Sequence, residues 1–221
     1  MKIAYKKMST VVEILPDRVT SLVVESAQAL YQLLMELKLA MEGCASEVVI
    51  SEDEKPLAVE KKVILLTDFV NFTLNQKSLL TKIIGELDKI SKEGSFYQDS
   101  QKILAEIENY IMKLTLDFPC ELVCEKLTMS NMLKGIGIII ADEYDSLEER
   151  ILAYMDLARE LEGKELFIFV NLRCLIPQER LELMLDTALK REHKILLIDN
   201  VEYPKLDQEN RIVIDADLCE I

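Results

Sequence analysis

Apolar positions follow two rhythms at the ends of the chain and a single rhythm in the middle. On the N-terminal side, KIAY (2–5), VVEIL (11–15) and SLVVES (21–26) read as short strands. The last leads into 27–43, where Leu30, Leu33, Leu34, Leu37 and Met41 recur at three- and four-residue steps and give a helix one apolar face. Gly43 is placed to stop that helix. EVVI (47–50) predicts another strand, the polar run SEDEKP (51–56) an exposed loop, and KKVILLTDF (61–69) a buried strand covered on both faces.

Strand signal then disappears. Over 76–93, Leu80, Ile83, Ile84 and Leu87 share one helix face, and Lys82, Lys89 and Lys92 fall opposite them. Over 97–116 a second stripe is made by Leu104, Ile107, Ile111 and Leu114. Two amphipathic helices joined by a Gly-Ser break predict an antiparallel hairpin. Alternation returns afterwards: a helix over 146–165 opened by Ser146 with Glu149 three positions on, a strand ELFIFVN (165–171), a helix over 177–193 with Pro177 in its first turn, then strands KILLID (194–199) and RIVID (211–215). Nearly all-apolar strands alternating with helices predict an α/β fold. Its head is a mainly parallel sheet flanked by helices, built from 1–72 and 136–221, and a helical leg is inserted over 73–135.

Charge changes the picture most in that middle. The chain of 221 residues carries 26 Lys and Arg against 40 Asp and Glu, a formal charge of −14. Residues 61–140 are nevertheless neutral, with ten lysines (61, 62, 77, 82, 89, 92, 102, 113, 126, 134) and ten acids (68, 86, 88, 93, 99, 106, 108, 117, 121, 125). An acidic protein repels polyanions everywhere except along such a segment. No apolar run is long enough to span a bilayer and no charged-then-apolar leader opens the sequence, so a cytoplasmic protein with no membrane partner is expected. Five irregularly spaced cysteines predict reduced, mostly buried thiols.

The motifs of common chemistry are missing. There is no G-x-x-x-x-G-K-[ST], no G-x-G-x-x-G after a strand, and no glycine at the first strand–helix junction, VVESAQAL. Gly135-Ile136-Gly137 reads as a helix cap followed by a strand. Cys120 and Cys124 lack further ligands or redox spacing and read as half-buried thiols. The single histidine, His193, reads as a solvated cap residue, and no G-x-S-x-G elbow is present. Asp117, Glu121 and Glu125 recur every four residues around Pro119, either as solvated acids or as hard oxygen ligands for Ca²⁺ or Mg²⁺. The lysine face is either a solubilising surface or a row of ammonium groups set against phosphates, which needs no base reading.

Three segments, in order, resemble a known family: KKVILLTDFVNFTLN followed by LLTKIIGEL, carrying Thr67, Asp68 and Asn75; LTMSNMLKGIGIII, with Lys134, Gly137 and Ile138; and ELFIFVN followed by KILLID, with Asn171 at the first strand's end. The chain resembles the ring-forming CRISPR-associated adaptation protein of type II-A systems, in its short form. The resemblance implies a tetrameric ring of subunits, each with an α/β head distantly related to P-loop folds and a helical leg. It implies non-catalytic, sequence-independent binding of double-stranded DNA through free ends, with lysines lining the central hole and Ca²⁺ stabilising the ring. The implied partners are the CRISPR integration proteins and the RNA-guided nuclease. Lys134 matches a family lysine by position, and the family carries a basic residue near Lys82. Lys77, Lys89 and Lys92 rest on the helix face. Family members are richer in acids where this chain keeps Asp117, Glu121 and Glu125. Two other readings stand beside this one: a degenerate P-loop-like enzyme with a nucleotide or phosphate substrate, and a protein scaffold whose leg helices pack on a partner.

Overall fold

The computed structural model describes every residue except Cys124 and 216–218. The chain divides into two compact units, Met1–Thr73 with Glu143–Ile221 (the head) and Leu74–Asp142 (the leg). The second boundary lies at 142/143 rather than 135/136 because residues up to 142 are tied to the start of the leg. Asn75 Oδ1 accepts from the Ile140 amide at 2.7 Å, Asn75 Nδ2 donates to the Ile140 carbonyl at 3.0 Å, and Asp142 accepts from the Leu74 amide at 3.0 Å.

The head contains β1 (Lys2–Tyr5), β2 (Val12–Glu13), β3 (Val19–Val24), α1 (Ala27–Met41), β4 (Val48–Glu52), β5 (Lys55–Pro56), the short α2 (Val59–Lys62) and β6 (Val63–Leu66). In the leg lie α3 (Lys77–Ile90), α4 (Phe96–Thr115) and α5 (Met129–Ile136). The head resumes with α6 (Leu147–Glu162), β7 (Leu166–Val170), α7 (Gln178–Lys190), β8 (Lys194–Asp199) and β9 (Glu209–Ile214). Five strands form the expected parallel sheet, in the order β6-β7-β8-β3-β9. β3 and β7 are buried along their whole lengths, which is why their sequences show no alternation.

A second, four-stranded antiparallel sheet, β2-β1-β4-β5, was hidden within the apparent α/β alternation. β1 exposes every other residue, the period of a sheet covered on one face. Its Ile3 and Tyr5 share a core with Leu33 and Leu37 of α1 and with Leu22 and Ile198 of the parallel sheet. SEDEKP is accordingly not a loop but the tip of a hairpin. Asp53 and Glu54 both take positive φ (48° and 63°), the geometry of a tight primed turn without its usual Asn-Gly.

Helix ends follow local chemistry. Ser26 and Ser146 accept from the amides of Ala29 and Glu149, each at 3.3 Å. Gly137 caps α5 with φ 76°, as expected, but no strand follows it, and 138–142 runs without regular structure.

Two sequence expectations fail on burial. His193 is not a solvated cap: it is 2% exposed, its Nε2 lies 2.8 Å from Asp156, and its ring meets Phe167 edge-on. Burial lowers its pKa, with Asp156 opposing. The cysteines are not mostly buried, since Cys44, Cys120, Cys174 and Cys219 are exposed, and Cys124 lies outside the described residues. Among the described residues no helix is long and apolar enough to cross a membrane.

Candidate nucleic-acid interface

The leg is built on α3, α4 and α5. Leu79 and Ile84 of α3 are buried, with Leu80, Ile83 and Leu87 half-buried beside them. The main packing partner of α3 is α5 rather than α4, which corrects the simple hairpin expected from sequence. The short α5 supplies this contact because Met129 is buried at its start and Thr128 caps it by accepting from the Asn131 amide. Such a short amphipathic stretch gives too little periodic signal to show where it docks.

All five candidate lysines are exposed. On an ideal helix Lys82 and Lys89 lie within about 20° of each other, and Lys77 lies roughly 140° from Lys82, so Lys77 sits off the row. Two of the five are already engaged. Lys89 Nζ is 2.6 Å from Glu86, whose hydrogen bond raises the lysine's pKa, and Lys92 Nζ is 2.6 Å from Asp88. Lys77, Lys82 and Lys134 have no carboxylate partner among the described residues. Within residues 74–142 the eight lysines (77, 82, 89, 92, 102, 113, 126, 134) meet ten acids (86, 88, 93, 99, 106, 108, 117, 121, 125, 142), a net −2. The head therefore carries −12 of the −14, and the leg is the weakly charged part of the molecule.

Asp117, Glu121 and Glu125 are all exposed and lie beyond the end of α4 at Thr115, so they do not stack along a helix. Among the described residues no three His, Cys, Asp or Glu side chains gather into a metal-ligand set. Within one chain these acids do not fit a Ca²⁺ site, which needs six to eight oxygens.

The other motif residues have structural work. Asp68 accepts from the Val70 and Asn71 amides at 3.0 and 3.1 Å and from Asn71 Nδ2 at 2.7 Å, and these bonds, the side-chain one first, lower its pKa. Asn75 ties the two ends of the leg, as above. Asn171 takes φ 54° at the end of β7, and its Oδ1 accepts from the Asn200 amide at 3.1 Å. At the β3–α1 junction, where a phosphate loop would sit, Ser26 rather than an anion occupies the Ala29 amide.

Sequence reading missed a buried ion network in the head. Arg173, 7% exposed, lies 3.0 Å from Asp199 and 2.6 Å from Glu209. Glu209 also accepts from Ser21, from Arg211 at 2.9 and 3.0 Å, and from the Leu206 amide at 2.8 Å. Burial pushes Glu209 up, but these hydrogen bonds outweigh it and hold its pKa at about 2. Asp199 has no aligned hydrogen-bond donor among the described residues, and burial raises its pKa to about 6 against the pull of Arg173. Only the run of a charged residue at the end of an apolar strand, LLID, hinted at Asp199.

Residues 42–218 match the model of Cas_Csn2, a family of CRISPR-associated proteins. The CRISPR-associated protein Csn2 of Streptococcus agalactiae is 20% identical over 167 residues, covering 75% of this chain and 74% of its own. Csn2 of Enterococcus faecalis is 19% identical over 200 residues, 90% of each chain. A solved putative ABC transporter ATP-binding protein from Pyrococcus furiosus aligns over 96% of this chain and 94% of its own with TM-score 0.39 and 10% identity, a likeness too slight to carry an argument.

Proposed function

We propose that this chain, which belongs to the Cas_Csn2 family of CRISPR-associated proteins, binds double-stranded DNA through free ends as a homotetrameric ring and so supports spacer acquisition, without catalysing a reaction. The observation that carries the reading is the exposed lysine set of the leg, in which Lys82 and Lys134 hold uncompensated charge while the head carries −12. Phosphate contacts of this kind are independent of sequence, and several copies around one duplex sum their individually weak contributions. The CRISPR integration proteins and the RNA-guided nuclease are the partners of this reading.

A ring requires contacts between copies, and α4 offers one. Phe96, Ile103 and Tyr110 follow each other at seven-residue steps, with Leu114 beside them, and are 59, 44, 61 and 58% exposed. That seam continues the half-buried stripe of Leu104, Ile107 and Ile111 and suits a second amphipathic helix. Changing Ile103 and Tyr110 together to glutamate is expected to yield monomers by light scattering or native mass measurement, with the fold retained by circular dichroism. Any Ca²⁺ held by Asp117, Glu121 or Glu125 would need ligands from a second copy. Chelation is then expected to shift the wild-type mass toward smaller species, and an unchanged mass argues against a calcium-held ring.

The reading is tested by competition. Linear duplex is expected to displace labelled duplex far better than the same sequence as a closed circle, and affinity is expected to fall steeply with salt. Equal competition by closed circles would remove the threading geometry. The seam also suits a protein scaffold, and charge reversal at Lys82 and Lys134, which only the DNA reading expects to abolish duplex binding, separates the two.

A further inference from the structure

The leg carries a half-open cavity of about 450 Å³ whose lining includes Lys92, Ser100, Glu108, Lys126 and Ser130. It lies beside the end of α3, the first two-thirds of α4 and the start of α5. Four observations converge on it. Ser100 is 8% exposed, the only buried residue of α4, and its hydroxyl has no hydrogen-bond partner among the described residues. Ser100 lines the cavity, so this unpaired hydroxyl is open to an acceptor entering it. At the start of α5 the Asn131 amide is taken by Thr128, whereas the amides of Met129 and Ser130 precede the first intrahelical bond and have no acceptor in the helix. Lys126 is exposed and has no carboxylate partner among the described residues. Finally, Lys92 belongs both to the lysine row and to the cavity lining, so the row runs into the cavity.

We propose that this cavity is a phosphate-binding subsite, in which Lys126, the Ser100 hydroxyl and the first-turn amides of α5 hold one phosphate of the duplex backbone. The inference rests on the DNA-binding reading and extends it to residues outside the lysine face. Charge and donor geometry agree on an anion. The α5 N-terminus presents a partial positive charge, and free amides there suit a tetrahedral oxyanion. Of the two carboxylates in the lining, Asp88 is neutralised by Lys92 at 2.6 Å. Glu108 accepts from the Leu127 amide at 3.3 Å and is the one charge that opposes the ligand. A phosphate site predicts that removing the Glu108 charge strengthens binding, an outcome that no purely structural role for Glu108 would give.

The test measures duplex affinity and its salt dependence for wild type, Lys126→Ala, Ser100→Ala and Glu108→Gln, with Lys82→Ala as reference. Lys126→Ala is expected to weaken binding about tenfold at low salt and to reduce the slope of log K against log salt by about one per subunit contact. Ser100→Ala should weaken it about threefold, the scale of one lost hydrogen bond, and Glu108→Gln should tighten it. If Lys82→Ala weakens binding while Lys126→Ala and Glu108→Gln keep wild-type affinity and slope, the subsite is overturned and the DNA reading stands. If wild-type protein binds no duplex, the DNA reading fails by itself. Inorganic phosphate followed by amide NMR then decides the cavity: shifts at Met129 and Ser130 that vanish in Lys126→Ala assign it to free phosphate, and their absence overturns it.

Discussion

Duplex binding is expected to collapse, by at least about 100-fold at moderate salt, when Lys82 and Lys134 are both changed to glutamate, with no change in melting temperature. Each lysine that meets a phosphate releases condensed counterions, and each reversal replaces that gain by repulsion. Both side chains are exposed and neither holds an ion pair among the described residues, so nothing in the fold depends on them. Lys89→Glu is expected to do less, because Lys89 is already shared with Glu86 at 2.6 Å. In an assembly each substitution acts in every copy, so a modest effect per site becomes a large one overall. Filter binding or fluorescence anisotropy across a salt series measures it. Retained binding by the double variant would show that these lysines do not hold the duplex, and a wild-type protein that binds no duplex would favour a scaffold whose leg works through the apolar seam of α4.

The largest stability effect is expected at Glu209. Its carboxylate is buried and serves Arg173, Arg211, Ser21 and the Leu206 amide at once. Glu209→Gln leaves Arg173 buried without its better-aligned partner, and breaking a buried pair in this way costs about 3–5 kcal/mol. Asp199→Asn should do the reverse. The rise of the Asp199 pKa from 3.8 to about 6 means that the folded state disfavours its charge by roughly 3 kcal/mol. Asp199 therefore contributes its stability below pH 3.8 and loses it as pH rises through about 6. Glu209, held down at about 2, contributes above pH 4.5 and loses it as pH falls toward 2. Urea unfolding at pH 4 and pH 7.5 checks both. Asp199→Asn should match wild type at the lower pH and equal or exceed it at the higher, and Glu209→Gln should be weaker than wild type at both. An Asp199→Asn protein much less stable than wild type at pH 7.5 would show that the Arg173 contact outweighs the cost of burying the charge.

Where one element buries one face, its sequence was legible. The helices α1, α3, α6 and α7 and the strands β3, β6, β7 and β8 each lie within a residue or a few of their periodic signals, because burial writes the period directly into residue type. The antiparallel sheet was read as separate strands without their pairing, since hydrogen-bond partners across long separations leave no local mark. The Asp53-Glu54 turn escaped for a related reason: positive φ is imposed on ordinary residues by the strands on either side. His193 was misjudged because its polar neighbours in sequence, Lys190, Arg191 and Lys194, say nothing about Asp156 and Phe167, which enclose it in space.

The sequence by itself determined the α/β head, the helical leg, the concentration of negative charge away from that leg and, by resemblance, the family. These follow from composition and short-range periodicity, which survive in one dimension. The Lys89–Glu86 and Lys92–Asp88 pairs lie within one helical turn and follow from the period, whereas only the tertiary structure decided that Lys82 and Lys134 meet no carboxylate from elsewhere among the described residues. It alone placed Asp199 and Glu209 against Arg173 and opened the cavity beside Lys92 and Lys126. Pairing of charges and enclosure of space depend on distances between residues far apart in the chain, and those distances exist only after folding.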